Sequence, residues 1–249
     1  MLNIDAYLQR IHARKKSEKS LSFLKELQEQ HMLTVPFENL DVIHKIPIPL
    51  NVESYYQKVV EQERGGFCYE LNGLFHWLLE SLGFRCRLIA GTVKRPDGGW
   101  ALSESHAAQI VYLDQPYLVD VGFGDSARIP LPLSGEERED VSGKYRVFHV
   151  RDSLYDLQKM IEKDEWRTLY RFDMHEKDLK DFTEVCHFNQ TSPDSHFTQK
   201  RIVTLATETG RITLSGNELT ETSHGDKRKI SVHDSEVQGV LEKHFGIYM

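Results

Sequence analysis

The sequence predicts an α+β fold, and three observations carry that reading. Apolar residues recur at helical spacing through the first eighty residues. From Phe84 the period changes to two, the alternation of half-buried strands. After Gly124 short β-like pieces mix with charged segments and a closing helix. Helices first and antiparallel strands afterwards argue segregation rather than an alternating parallel sheet. With 249 residues, 39% apolar and 28% charged, the composition is ordinary globular and excludes collagenous, low-complexity and largely disordered chains.

Ile4, Leu8 and Ile11 open the first helix. Leu21, Leu24 and Leu27 around Phe23 mark a second, with Ser20 as its N-cap. Val35-Pro36-Phe37-Glu38-Asn39-Leu40 and Ile46-Pro47-Ile48-Pro49-Leu50 break the pattern, because proline lacks a donor and biases its predecessor to extended geometry. A helix over 52–63 ends at Arg64-Gly65-Gly66. The strongest periodicity follows: Leu71, Leu74, Phe75, Leu78, Leu79 and Leu82 form one apolar stripe, stopped by Gly83. Phe84, Cys86, Leu88 and Ala90 then alternate with Arg85 and Arg87 as a strand. Pro96-Asp97-Gly98-Gly99 is a turn. His106 to Leu113 and Tyr117 to Val121 are strands joined at Asp114-Gln115-Pro116. Further strands are expected at Tyr145 to Val150, Trp166 to Phe172, Ile202 to Ala206 and Arg211 to Leu214, and a last helix over Ser235 to His244.

Thirty-one Lys+Arg against 38 Asp+Glu give a net charge of −7, without the basic footprint of a nucleic-acid binder. No run reaches the ~18 apolar residues of a membrane span. The charged N-terminal stretch has no apolar core of a signal peptide. The three cysteines, Cys68, Cys86 and Cys186, show no C-x-x-C spacing. That argues against a disulfide framework or a thiolate zinc site and for a reducing cytoplasm. No pair of histidines sits at metal-ligand spacing on a helix, so no metal is expected.

Cys68 follows Arg64-Gly65-Gly66-Phe67 and opens the strongest helix. Unpaired N–H groups at a helix start favour an anion, and a thiolate is the nucleophilic form of cysteine. The two glycines let the backbone pass close to a ligand. The competing reading is a buried core cysteine, and for Cys86, on the apolar face of a strand, that reading wins. A nucleophilic cysteine needs a base, and His106 opens a strand. Asp120 sits in the apolar run Leu118-Val119-Asp120-Val121, where a carboxylate is costly unless something pairs with it. A three-residue loop at Asp114-Gln115-Pro116 would put His106 opposite Gly124 and leave Asp120 four residues away, roughly 13 Å. Contact then requires a bulge or another register. Glu38 and Arg64 are expected to pair and hold the helical region together.

Three blocks together point further. Val35-Pro36-Phe37-Glu38-Asn39-Leu40, Arg64-Gly65-Gly66-Phe67-Cys68-Tyr69-Glu70-Leu71-Asn72 and Val119-Asp120-Val121-Gly122-Phe123-Gly124, with the strand-borne His106 between the last two, resemble the arylamine N-acetyltransferase family. Ser192-Pro193-Asp194-Ser195-His196-Phe197 resembles a further stretch of that family, without its usual preceding aromatic pair.

The resemblance implies a cysteine-protease-like core in three parts: a helical bundle over 1–83, an antiparallel β-barrel over 84–190 and an α/β lid over 191–249. It implies a triad of Cys68, His106 and Asp120. Phe37, Val93 and Phe197 would face the acyl and arylamine pocket, and Gly122, Phe123 and Gly124 would lie along coenzyme A. The implied reaction moves acetyl from acetyl-CoA to an arylamine or hydrazine nitrogen through an acetyl-cysteine, with no metal, nucleic acid or membrane. A cysteine protease or transglutaminase-like enzyme would use the same order of Cys, His and Asp.

Overall fold

In the computed structural model, which describes residues 2–249, the helices come first. They are α1 (Ile4–Arg10), α2 (Leu21–Thr34), α3 (Leu40–Ile43), α4 (Val52–Tyr56) and α5 (Cys68–Ser81), with a two-residue strand β1 (Phe37–Glu38) between α2 and α3. Ser20 caps α2 as its hydroxyl accepts from Phe23 N at 3.3 Å. The helix expected over 52–63 is split: α4 gives way to a π-helical turn at Gln57–Glu61. The guanidinium of Arg10 grips this turn by donating to Val59 O at 3.1 Å, and it also reaches Thr34 O and Glu63 O.

The antiparallel strands follow: β2 (Arg85–Val93), β3 (His106–Tyr112), β4 (Pro116–Val119), β5 (Leu131–Pro132), β6 (Arg138–Asp140), β7 (Gly143–Arg151), β8 (Leu154–Glu162) and β9 (Glu165–Phe172). They form one sheet in the order β5-β4-β3-β2-β9-β8-β7-β6. The sheet curls until β5 meets β7, leaving a nearly closed barrel. Helix α6 (Thr183–Thr191) leads to β10 (Ile202–Thr207), β11 (Gly210–Ser215), β12 (Glu218–Ser223), β13 (Asp226–Ser231) and α7 (Val237–Phe245). Strands β8, β12 and β13 and helix α6 escaped the sequence reading. Their charged residues interrupt the alternation, and β13 (Asp-Lys-Arg-Lys-Ile-Ser) is an edge strand whose charges suit an exposed position.

The second sheet runs β1-β10-β11-β12-β13, so its first strand comes from the helical region. Phe37 pairs with Thr204 on one side and bridges Gly66 on the other. This ties the C-terminal sheet to the loop that delivers Cys68. It also explains the two glycines. A Cβ on Gly65 would lie 2.0 Å from Pro36 O, and one on Gly66 would lie 2.8 Å from the Glu70 side chain. Their bare backbone lets the chain pass close to itself at this point.

The largest apolar cluster joins α1, α2 and α4 to α5 and one face of the barrel. Leu71, Leu74, Phe75, Leu78 and Leu79 are fully buried, as the stripe predicts. Each contributes about 1.5–3 kcal/mol of burial. Truncating one, as in Leu74→Ala, costs about 2–5 kcal/mol. Gly83, at φ +83°, stops the helix in the left-handed region that favours glycine.

Candidate active site

Cys68 is the first residue of α5 and is 3% exposed. The start of that helix is fixed by Glu70, whose carboxylate accepts from Phe67 N at 2.9 Å. Glu70 belongs to a buried ionic group. Lys58 meets Asp41 at 2.7 Å, Glu70 at 2.9 Å and Glu38 at 3.4 Å. Arg64 meets Glu38 at 2.7 Å and Asp41 at 2.9 Å. The expected Glu38–Arg64 pair is therefore one edge of a five-membered network. Burial pushes the Glu70 carboxyl up to about 7 against the pull of Lys58. The network pins β1 to α5 at a site where any lone charge would be costly.

His106 opens β3 opposite Gly91 of β2. Its Nε2 lies 2.7 Å from Asp120 Oδ2. The register that permits this differs from the expected one. Tyr112 faces Pro116 and Gln109 faces Val119, so the hairpin loop is 113–115. Continued past β4, that register sets Asp120 two residues from His106 on the same face, a diagonal pair within side-chain reach. No bulge is needed.

Four donors converge on the Asp120 carboxylate. Besides His106, Tyr170 donates its hydroxyl to Oδ2 at 3.0 Å, and Asn72 Nδ2 and Gly122 N donate to Oδ1 at 2.9 Å each. Burial alone would raise the carboxyl, but His106, then Asn72 and the Gly122 N–H, hold it below its usual range. Burial alone would likewise depress His106. The Asp120 charge and hydrogen bond, with a hydrogen bond that the ring donates to Cys68, hold it up to about 10. The ring is thus kept as an imidazolium between a carboxylate and a thiol. Burial pushes Cys86 and Cys186 up as well, to about 12, which keeps both as neutral thiols.

Asn72 and Tyr170 are site residues that pattern reading missed. Asn72 stands one turn after Cys68, fully buried on the helix face. It also donates to Ala107 O at 2.7 Å and accepts from Val121 N at 3.0 Å, tying α5 to β3 and to the chain after β4. A polar residue beside Leu71 and Leu74 was the available signal, since a buried amide must find partners. Tyr170 had none, being 50 residues from its partner. Its ring crosses Gly91, where a Cβ would lie 2.9 Å from it, and it packs 4.9 Å from the His106 ring.

The other expected residues lie in two apolar clusters, Phe37 and Phe197 in the one that holds Cys68, Val93 and Phe123 in that of the barrel. Phe37 and Phe197 lie 6.1 Å apart, and Phe197 is 6.2 Å from Phe67, the neighbour of Cys68. Phe123 packs edge-on to His106 at 5.2 Å, and Val93 joins the same cluster. A Cβ on Gly122 would lie 2.9 Å from Cys68 Cα, so a bare glycine lets the backbone pass close to the start of α5. Gly124, at φ +89°, approaches Phe37 and Thr204.

On an α+β frame, a helix-borne thiol facing a strand-borne imidazole held by a buried acid is the layout of enzymes that transfer acyl groups through cysteine. Comparison with known proteins narrows the class. The family profile described as N-acetyltransferase matches residues 20–249. A pineal-gland arylamine N-acetyltransferase isozyme of Gallus gallus is 32% identical over 99% of this chain and 94% of its own. The crystal structure of an arylamine N-acetyltransferase from Bacillus cereus, described as having a Cys-His-Glu triad, superposes with a TM-score of 0.92 at 29% identity, covering all of both chains. The Mycobacterium marinum arylamine N-acetyltransferase in complex with CoA superposes with a TM-score of 0.90 at 33% identity, covering 98% and 93%. The chain belongs to the arylamine N-acetyltransferase family. Here the acid at His106 is an aspartate.

Proposed function

We propose that Cys68, His106 and Asp120 are the catalytic triad of an acetyltransferase that moves acetyl from acetyl-CoA to the nitrogen of arylamines, arylhydrazines or related acceptors. The observation that carries this reading is the 2.7 Å contact of His106 Nε2 with Asp120 Oδ2 on a ring that also meets Cys68. The Cys68 thiolate attacks the thioester carbonyl and forms a C–S bond. The coenzyme A thiolate leaves and takes the proton of the His106 imidazolium. The acceptor amine then attacks the acetyl-cysteine, and neutral His106 accepts its proton. The C–S bond breaks and restores the thiolate–imidazolium pair. The Cys68 N–H is a candidate donor to the oxyanion. Aromatic amines suit this cycle because they are largely unprotonated at pH 7. No step uses a metal.

Phe37, Val93 and Phe197 form the acyl and arylamine pocket in this reading. Gly122, Phe123 and Gly124 lie along the pantetheine arm, where backbone N–H groups donate without a charged side chain. The chain divides into a bundle (1–83), barrel (84–190) and lid (191–249). Among the described residues no helix is long and apolar enough to cross a membrane, and three free thiols suit a reducing cytoplasm. The protease and transglutaminase alternatives are not favoured. Kinetics at varied acetyl-CoA and arylamine test the cycle. A covalent acetyl-enzyme gives parallel double-reciprocal lines, and intersecting lines would mean direct transfer in a ternary complex.

A further inference from the structure

A second constellation lies at the far end of the nucleophile helix. His76 and Glu80 stand one turn apart on α5, and Cys86 lies on β2 just past the Gly83 turn. One ligand atom from each comes within 4.8 Å of the other two. His76 Nε2 is 3.7 Å from Glu80 Oε2. The other ring nitrogen, Nδ1, is 3.3 Å from Gln109 Oε1 on β3. Gln109 thus engages Nδ1 and leaves Nε2 turned toward the Glu80 carboxylate, so both groups face the space a cation would occupy. A carbonyl fixing the tautomer is also the usual partner behind a metal-bound imidazole.

Charge and access agree. Cys86 packs toward the core beside α5, whereas its neighbours Arg85 and Arg87 stack on Tyr112. Alternation along the strand therefore keeps both guanidinium groups on the opposite face. Burial first, then the negative charges of Glu80 and Glu176, push the Cys86 thiol up to about 12, so it keeps its proton until a cation displaces it; Glu176 itself meets Arg87 at 3.5 Å. The Glu80 side chain is 59% exposed, which leaves an entry path.

We propose that His76, Glu80 and Cys86 form a divalent-cation site for zinc or a similar borderline-soft ion. It is separate from the acetyl-transfer centre and staples the last turn of α5 to β2. Imidazole, carboxylate and thiolate are a donor set such ions accept, with solvent filling the fourth position. Binding forms a metal–sulfur bond and releases the Cys86 proton to the buffer. The spacing His-x3-Glu-x5-Cys escapes a search for paired histidines because a helix and a turn bring the donors together.

Cobalt(II) titration of the reduced full-length protein tests the proposal. The expected result is one Co2+ per chain with a strong near-ultraviolet thiolate-to-cobalt absorption. That absorption should vanish in Cys86→Ser and persist in Cys68→Ser. Glu80→Gln, on an exposed side chain, should weaken binding on the order of tenfold. Metal-free acetyl transfer should stay unchanged in Cys86→Ser and Glu80→Gln, which establishes that both are folded. Loss of the absorption in Cys68→Ser with retention in Cys86→Ser would assign the metal to the active-site thiol and overturn the proposal. Absence of any thiolate absorption in the wild type would overturn it equally.

Discussion

The Tyr170 hydroxyl donates to Asp120 Oδ2 at 3.0 Å, on the same carboxylate oxygen that meets His106. Two strands that are not sheet neighbours thus converge on one atom. The bare backbone of Gly91 makes the crossing possible.

Tyr170→Phe keeps the ring packing on His106 and removes only the hydroxyl. Asp120 retains three donors, so stability should fall by less than about 1.5 kcal/mol. Acetyl transfer should fall roughly threefold to tenfold, as Oδ2 loses one of two donors and the carboxylate is less firmly set. Single-turnover acetylation of Cys68 by acetyl-CoA reads this directly. An unchanged rate would make Tyr170 a packing residue only.

Asp120→Asn is more severe. An amide presents one acceptor oxygen and an NH2 group, so two of the four present donors would meet another donor. Stability should fall by about 2–4 kcal/mol. Transfer, measured well below the unfolding temperature, should fall on the order of 10²–10³, because the ring loses its tautomer control and its counter-charge. Wild-type transfer in this variant would remove Asp120 from the mechanism.

His31 gives a pH-dependent stability test away from the chemistry. It is fully buried between the rings of Tyr7 and Phe75, and neither ring nitrogen has a partner among the described residues. Burial, then the nearby Arg10, hold it down at about 3. The unfolded chain therefore binds a proton here between about pH 6.5 and 3, and the folded chain does not. This group lowers stability progressively as pH falls through that window. At pH 5 its cost is roughly 2 kcal/mol. His31→Phe should recover about that much at pH 5 relative to its effect at pH 7.5, as read by urea denaturation. An equal effect at both pH values would show that His31 titrates normally.

The legible parts of the fold were those with a strong period. The α5 stripe, the Ser20 cap and the Gly83 stop are local, and each lies where its residues place it. The triad candidates were also local signals: a cysteine opening a helix and a carboxylate in an apolar run. What joins them was not legible. Register depends on which residues form a hairpin loop, and one step in the loop at 113–115 decides whether Asp120 reaches His106. Tyr170 and β1 are supplied by distant segments. Gly65 and Gly66 read as room for a ligand because sequence does not reveal that Pro36 and Glu70 fill that space.

In the proposed cycle Cys68 carries the acetyl group. Intact-protein mass spectrometry after exposure to acetyl-CoA alone, followed by peptide mapping, reads this step. A single acetyl adduct on Cys68 is expected, with release of one equivalent of coenzyme A and loss of the adduct when an arylamine is added. An adduct on Cys86 or Cys186, or full transfer to the arylamine by a Cys68→Ala variant, would contradict it.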